Sequence, residues 1–309
     1  MHQFEESHPR LAGFSQVYAG EVRATLLADE GERRKMARAG LFMLLACGSG
    51  AFIVGLCVFL LFGSFTGLLF IWMAGGLLGL LFYASATHRV RHRTKATLTQ
   101  SVFAHIGWTF TQAVSDFDYK PFLEVGLLDS RITGGRFEDA VSGEVRGAAF
   151  TAVEATLHRP NKNSRNKGAI QQEFHGQLIV MDFPTRTFGR TVVYPDKGVM
   201  NWKRRDGLKR VGLVDPTFER MYEAYGTDQV EARVILNPTF MQQMTNLKTA
   251  LLGRDATFAF DTNRLFIAIK TRNRFEAGSM RRSLDDPERA QRLLTEASAI
   301  LHLIEGVAG

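Results

Sequence analysis

The chain has 309 residues, 45% of them hydrophobic and 22% charged, with a formal net charge of +7. Those averages conceal a split, because residues 40–87 contain no Asp, Glu, Lys or Arg, and both cysteines, Cys47 and Cys57, lie inside that stretch. The rest of the chain therefore has neither a disulfide framework nor thiolate chemistry. Residues 1–40 balance six basic against six acidic side chains, 88–95 hold four basic and no acidic ones, and 96–309 hold 28 basic and 25 acidic. More than half of the excess thus flanks the apolar stretch, and the pI of about 9.6 argues no nucleic-acid partner.

Residues 14–38 predict an amphipathic helix, with Phe14, Val17, Tyr18, Val22 and Leu26 at helical spacing among Glu21, Arg23 and Glu30. The apolar run 40–62 follows, about 35 Å long as a helix, and then the run 68–86 of about 28 Å. Each matches a hydrocarbon core of about 30 Å. Gly63-Ser64-Phe65-Thr66-Gly67 between them reads as a turn, so the two spans are antiparallel neighbours. A buried hairpin of a soluble protein and a signal peptide fit less well, since both runs are uncharged and the first begins at residue 40. Small residues at four-residue spacing, Cys47, Ala51 and Gly55 in one span and Gly75 and Gly79 in the other, allow close packing inside the hairpin or between copies in a homo-oligomer. With no ionisable side chain in either span, the hairpin is an anchor and not a conduction path.

Orientation follows from the cations at both flanks. Arg33, Arg34, Lys35 and Arg38 precede the first span, and Arg89, Arg91, Arg93 and Lys95 follow the second. Both termini and the main domain are therefore expected in the cytoplasm. Trp72 and Tyr83 stand near opposite ends of the second span, where amphipathic rings anchor at the interface.

A helix is expected to run on through the basic segment to about Gly107. Residues 142–159 and 171–184 then read as strands joined by the polar loop 159–168, and 189–195 as another strand. Asp215-Pro216 opens a helix to about Tyr225. Asn237-Pro238 opens a second one, with Phe240, Met241, Met244, Leu247 and Leu251 on one face and Gly253 at its end. Strands at 256–260 and 264–271 form a hairpin through Asp261-Thr262-Asn263, and Asp286-Pro287 opens a final helix to about Ile304. The expected fold is α+β, a two-helix transmembrane hairpin plus a mixed, mainly antiparallel domain. Its parts are an N-terminal amphipathic helix (1–39), the hairpin (40–87), a juxtamembrane basic helix (88–107) and the α+β domain (108–309).

Few residues suggest chemistry. His88 and His92 have helical metal-pair spacing, but Arg89, Arg91 and Arg93 among them oppose a cation. His105, His158 and His175 lack a partner at ligand spacing, and the pairs Asp116/Asp118, Glu138/Asp139 and Asp285/Asp286 read as turns and caps. No phosphate loop or nucleophile elbow is present. No catalytic residue, cofactor or metal is assigned. The basic loops remain: Arg159, Lys162, Arg165 and Lys167 in one, and Lys203, Arg204 and Arg205 in the other, read as contacts to anionic lipid or to a partner.

The segment 224–238, AYGTDQVEARVILNP, resembles a bacterial family known as domain of unknown function 3137. LVDPTFERMYE before it, TFMQQM after it, and the upstream EFHGQLIVMDFPTRTFGRTVV, with an FxG strand, are similar to that family as well. The resemblance implies a protein of the bacterial inner membrane and brings no assigned activity. It implies a LemA-like membrane protein as a possible partner. Within the matched segment Asp228, Glu231 and Arg233 are the polar residues, suited to an ion-pair network, and Arg233 lies among Val230, Val234, Ile235 and Leu236. The expected function is a membrane-anchored, non-catalytic interaction or scaffold module, with an enzyme acting on lipid or envelope material, or peripheral recognition of anionic lipid by the basic loops, as the alternatives.

Overall fold

The computed structural model describes residues 3–308 apart from 64, 162–167, 197–206, 214 and 272–285, with backbone alone at 33, 36–37, 83–84 and 86–96. The chain divides into two compact units, one of Met1–Gln3, Ser15–Thr99 and Phe275–Ala290, the other of Phe4–Phe14, Gln100–Arg274 and Gln291–Gly309.

In the first unit the expected N-terminal helix is interrupted. A single turn α1 (Phe14–Val17) passes into a π-turn at Tyr18–Val22 and then into α2 (Arg23–Phe62). Phe14, Tyr18, Val22 and Leu26 are all buried, one every four residues, while Val17 is not. On a straight α-helix each four-residue step over-rotates the stripe by about 40°. The wider π-turn takes up part of that drift and keeps the four side chains aligned.

α2 ends at Gly63, whose left-handed φ of 65° lets its N–H bond to Phe59 O at 2.7 Å. α3 (Phe65–His105) starts at once, so Phe65-Thr66-Gly67 are helical and the expected five-residue turn contracts around Gly63. Two segments, Arg38–Phe62 and Phe65–Phe82, are long and apolar enough to cross a membrane. Phe42, Leu60, Leu61, Phe62, Phe70 and Met73 stand exposed along them, unlike the side chains of a soluble core helix. The helices meet at their small residues. A Cβ on Gly55 would lie 3.0 Å from Leu68 O, and one on Gly79 would lie 2.8 Å from Leu44 Cα.

The second unit is built on one sheet of nine strands: β1 (Thr109–Val114), β2 (Gly134–Val145), β3 (Ala148–Pro160), β4 (Ile170–Asp182), β5 (Phe188–Pro195), β6 (Lys209–Val211), β7 (Tyr222–Gly226), β8 (Asp255–Thr262) and β9 (Arg264–Lys270). Their order is β1-β2-β3-β4-β9-β8-β5-β7-β6, and every neighbouring pair is antiparallel. The helices are α4 (Lys120–Glu124), α5 (Pro216–Glu219), α6 (Gln229–Ile235), α7 (Pro238–Ala250) and α8 (Pro287–Ala308).

Alternation along the strands sorts the core onto two faces. Val153, Ala155, Leu157, Leu178, Val192, Ala259, Phe266 and Ala268 pack on one side with Phe122, Val125 and Leu128 of α4 and the loop after it. The other side carries Phe258, Phe260 and Ile267, and α7 meets it where Phe240 lies 5.6 Å from the Phe260 ring. α8 lies beside α7, for a Cβ on its Gly306 would collide with the Gln243 side chain.

Two expectations change in this unit. Residues 142–159 are not one strand but the end of β2 and most of β3, joined by Arg146 and Gly147, both with positive φ (51° and 79°). Two such residues make the hairpin turn whose twist suits antiparallel strands. The helix opened by Asp215 does form, with Asp215 Oδ1 accepting from Thr217 N, but it stops at Glu219. Tyr222–Gly226 are buried throughout and form β7 between β5 and β6, so sheet pairing overrides the helical pattern. The short strands β1 and β6 have no counterpart in the sequence reading.

Candidate functional site

The segment that carries the family resemblance folds as β7, α6 and the start of α7. Asp228 caps α6, its Oδ1 accepting from Val230 N at 2.8 Å and Glu231 N at 3.2 Å. Glu231 reaches sideways to β5, where its Oε2 accepts from Gly189 N at 2.9 Å. Gln229 Nε2 donates to Arg210 O at 3.2 Å and Arg233 Nε to Gly212 O at 3.4 Å.

The last two bonds follow from matched periodicities. Four residues of helix rise about 6 Å, and two residues of extended chain about 6.7 Å, so Gln229 and Arg233 meet carbonyls of like orientation, one in β6 and one at Gly212 just past its end. β6 is the edge of the sheet, and these side chains blunt its open hydrogen-bonding row. The ion-pair network suited to Asp228, Glu231 and Arg233 is replaced by bonds from all three to backbone groups. Arg233 is exposed and not enclosed by apolar neighbours.

With its polar side chains seated and Ala232 and Leu236 buried beneath, α6 turns Val230 and Val234 outward at 71% and 70% exposure. They lie one turn apart on one face, with Arg233 between them. Val230 and Val234 are thus an exposed apolar pair on the outer side of a helix fastened to the sheet.

The basic loops are divided by the structure. Arg159 has an acidic neighbour across β3 and β4, its Nε 2.6 Å from Glu173 Oε2, which sequence spacing does not show. Lys162, Arg165, Lys167, Lys203, Arg204 and Arg205 lie outside the described residues. Of the flanking cations, Arg34 Nε pairs with Glu30 Oε1 at 2.9 Å, and Lys35 and Arg38 are exposed on α2. The side chains of Arg33, Arg89, Arg91, Arg93 and Lys95, and of His88 and His92, lie outside the description, though all seven positions are helical. Asp118 Oδ1 accepts from Lys120 N in a turn, Asp286 Oδ1 accepts from Glu288 N at the start of α8, and Glu138 pairs with Arg136 at 2.7 Å.

Two histidines acquire partners that spacing hides. His105 Nε2 lies 3.1 Å from Ala12 O. His175 on β4 stands opposite Thr156 on β3, its Nδ1 2.8 Å from Thr156 Oγ1, while Nε2 points toward Glu154 Oε1 at 3.7 Å. That nitrogen is buried, so no substrate reaches it and the group is a sheet fixture. Burial pulls the His175 pKa below its ordinary 6.5, against a smaller pull upward from Glu138. The unfolded chain therefore takes up a proton near pH 6.5 that the folded chain refuses, and stability falls as pH drops below that value. His175→Gln is expected to lose less of its urea unfolding midpoint between pH 7.5 and 5.5 than the parent chain. An equal loss in both would remove His175 as the cause.

Comparison with known proteins falls on this same region. A family model described as "Protein of unknown function (DUF3137)" matches residues 172–308, from β4 through α8. The matched segment 172–308 resembles the DUF3137 family and makes up less than half of the chain. It contains α6 and its fasteners, together with the Phe174-His175-Gly176 strand. No curated protein matches the chain. Among solved structures, the crystal structure of the mycobacterial trehalose monomycolate transport factor A, TtfA, is similar, with 16% identity and a TM-score of 0.32 over 70% of this chain and 97% of that one.

Proposed function

We propose that this chain is a membrane-anchored, non-catalytic interaction module that docks a partner protein through the outer face of α6. The observation that carries this reading is the exposed pair Val230 and Val234, held on a helix whose polar side chains are committed to backbone groups. The spans Arg38–Phe62 and Phe65–Phe82 support the anchor. Positive flanks and an uncharged turn support a bacterial inner-membrane setting with both termini and the α+β unit in the cytoplasm. The family resemblance puts a LemA-like membrane protein first among the partners.

Photo-crosslinking from Val234 in intact membranes tests the surface. The expected result is a discrete adduct with a LemA-like protein that disappears in Val230→Asp. Adducts equal to those from the same probe at exposed Leu252 would sink the reading, and an adduct with a second copy of the chain alone would convert it to self-assembly. Exposed valines tolerate Asp without unfolding, so loss of the adduct reports contact.

A further inference from the structure

The N-terminal segment before α1 runs along α8, and its polar contacts recur down the helix. Glu5 N donates to Gln291 Oε1 at 2.8 Å and Gln291 Nε2 returns a bond to Glu5 O at 3.1 Å. Ser7 Oγ lies 3.1 Å from Ser298 Oγ. Farther along, His8 meets His302 and Glu305, which are three residues apart on α8 and so share a face. His8 Nε2 is 3.2 Å from Glu305 Oε2, and the His8 and His302 ring centroids are 4.9 Å apart. One donor atom from each of the three lies within 4.8 Å of the others.

We propose that His8, His302 and Glu305 form a binding site for a divalent transition-metal ion of the zinc class. Two imidazoles and one carboxylate suit zinc, nickel or cobalt and not the oxygen-seeking calcium or magnesium. Three protein ligands leave one tetrahedral position to water. Donors bound to one such ion at about 2.0–2.2 Å stand roughly 3.4 Å apart, so the His8–Glu305 pair already has the spacing. His302 is exposed and free to swing the remaining distance, on the order of 1 Å. His8 is held in place, only 3% exposed, with its Nδ1 accepting the Arg10 N–H at 3.1 Å.

That bond sets the cost of loading. With Nδ1 an acceptor, the neutral ring carries its proton on Nε2, toward Glu305. Metal on Nε2 sends that proton to water, and the ring takes one up at Nδ1, with no net release. The Arg10 bond is lost, which lowers affinity roughly fivefold. The Arg146 guanidinium, with Nε 3.7 Å from Glu305 Oε1, also opposes a cation. Loading would lock residues 4–11 onto α8, joining two ends of the chain far apart in sequence.

Titration of Zn2+ into the full, tag-free chain in detergent, followed by calorimetry and thermal unfolding, tests the site. The expected result is one strong ion per chain with a raised unfolding midpoint, and an affinity at least about tenfold weaker in His302→Ala and in Glu305→Gln. His302 is exposed, so His302→Ala keeps the fold, checked by circular dichroism. Absence of strong binding, or binding that neither substitution weakens, would overturn the proposal.

Discussion

Gly176→Ala is expected to destabilise the α+β unit by about 2–4 kcal/mol, the cost of a strained backbone plus a buried collision. Gly176 has φ +153°, a conformation L side chains rarely adopt, and it sits where β4 passes β9. A Cβ there would lie 2.0 Å from Ile269 O in β9 and 2.8 Å from Thr271 N just past its end, both backbone atoms. Neither can rotate away as a side-chain tip would. The strands would have to part in the middle of a nine-stranded sheet. This is the physical content of the glycine in the Phe174-His175-Gly176 motif, where a missing side chain lets two backbones approach. Urea unfolding of the full chain in detergent micelles, followed by far-UV circular dichroism, measures the effect. Gly212→Ala is the control, since a Cβ there meets nothing within 4 Å, and a shift of no more than about 0.5 kcal/mol is expected from it. Equal midpoints for the two variants would show that the sheet relaxes around the new methyl group.

The same glycine shows where sequence reasoning reaches and where it stops. Caps were legible where Asp215, Asn237 and Asp286 each place a short acceptor just before a proline-opened helix, and each accepts a backbone N–H group expected of it; the cap made by Asp228 was not, because no proline follows it. The β8–β9 hairpin was legible from two alternating apolar runs around Asp261-Thr262-Asn263, and Thr262 takes the positive φ of 57°. Tyr222–Gly226 was not, because a short strand buried on both faces has no period of its own and its partners are set by long-range pairing. The Arg146-Gly147 turn was missed for a different reason: Ala148, Ala149 and Phe150 continue the apolar texture of β2 and hide the break.

Sites fared worse than elements. His175 has Glu154 nearby only through the register of β3 on β4, and His8 meets His302 and Glu305 only because the N-terminal segment lies along the last helix. No local spacing encodes either. Residues 228–233 were recognisable as a motif, yet Gln229, Glu231 and Arg233 act on backbone groups of β5, β6 and Gly212 just past β6, which any sequence would supply. The legible feature of α6 was its polar residues, whereas which side chains it turns outward, Val230 and Val234, depends on what the fold does with the polar ones.

A second large effect is expected in the hairpin, from Gly75→Leu. A Cβ on Gly75 would lie 2.2 Å from Ala51 Cβ and 2.8 Å from Cys47 O, so the two helices touch through a position that holds no side chain. Leucine there forces them toward the 8–10 Å separation of helices with ordinary side chains, a widening on the order of 2 Å. In lipid no hydrophobic force draws the helices back, because the acyl chains are as apolar as the leucine. Gly76 makes the comparison sharp: it is the next residue, in the same helix and the same apolar run, but a Cβ on it meets nothing within 4 Å. Gly76→Leu should leave the hairpin unchanged. Spin labels at the exposed positions Phe42 and Leu81, with Cys47 and Cys57 replaced by Ala, read the separation in lipid nanodiscs. Widening in Gly75→Leu but not in Gly76→Leu is the expected outcome. Identical distances in the two would mean that lipid and not glycine contact sets the spacing. Because the contact runs from Gly55 against Leu68 to Gly79 against Leu44, disrupting its centre leaves few compensating contacts at either end.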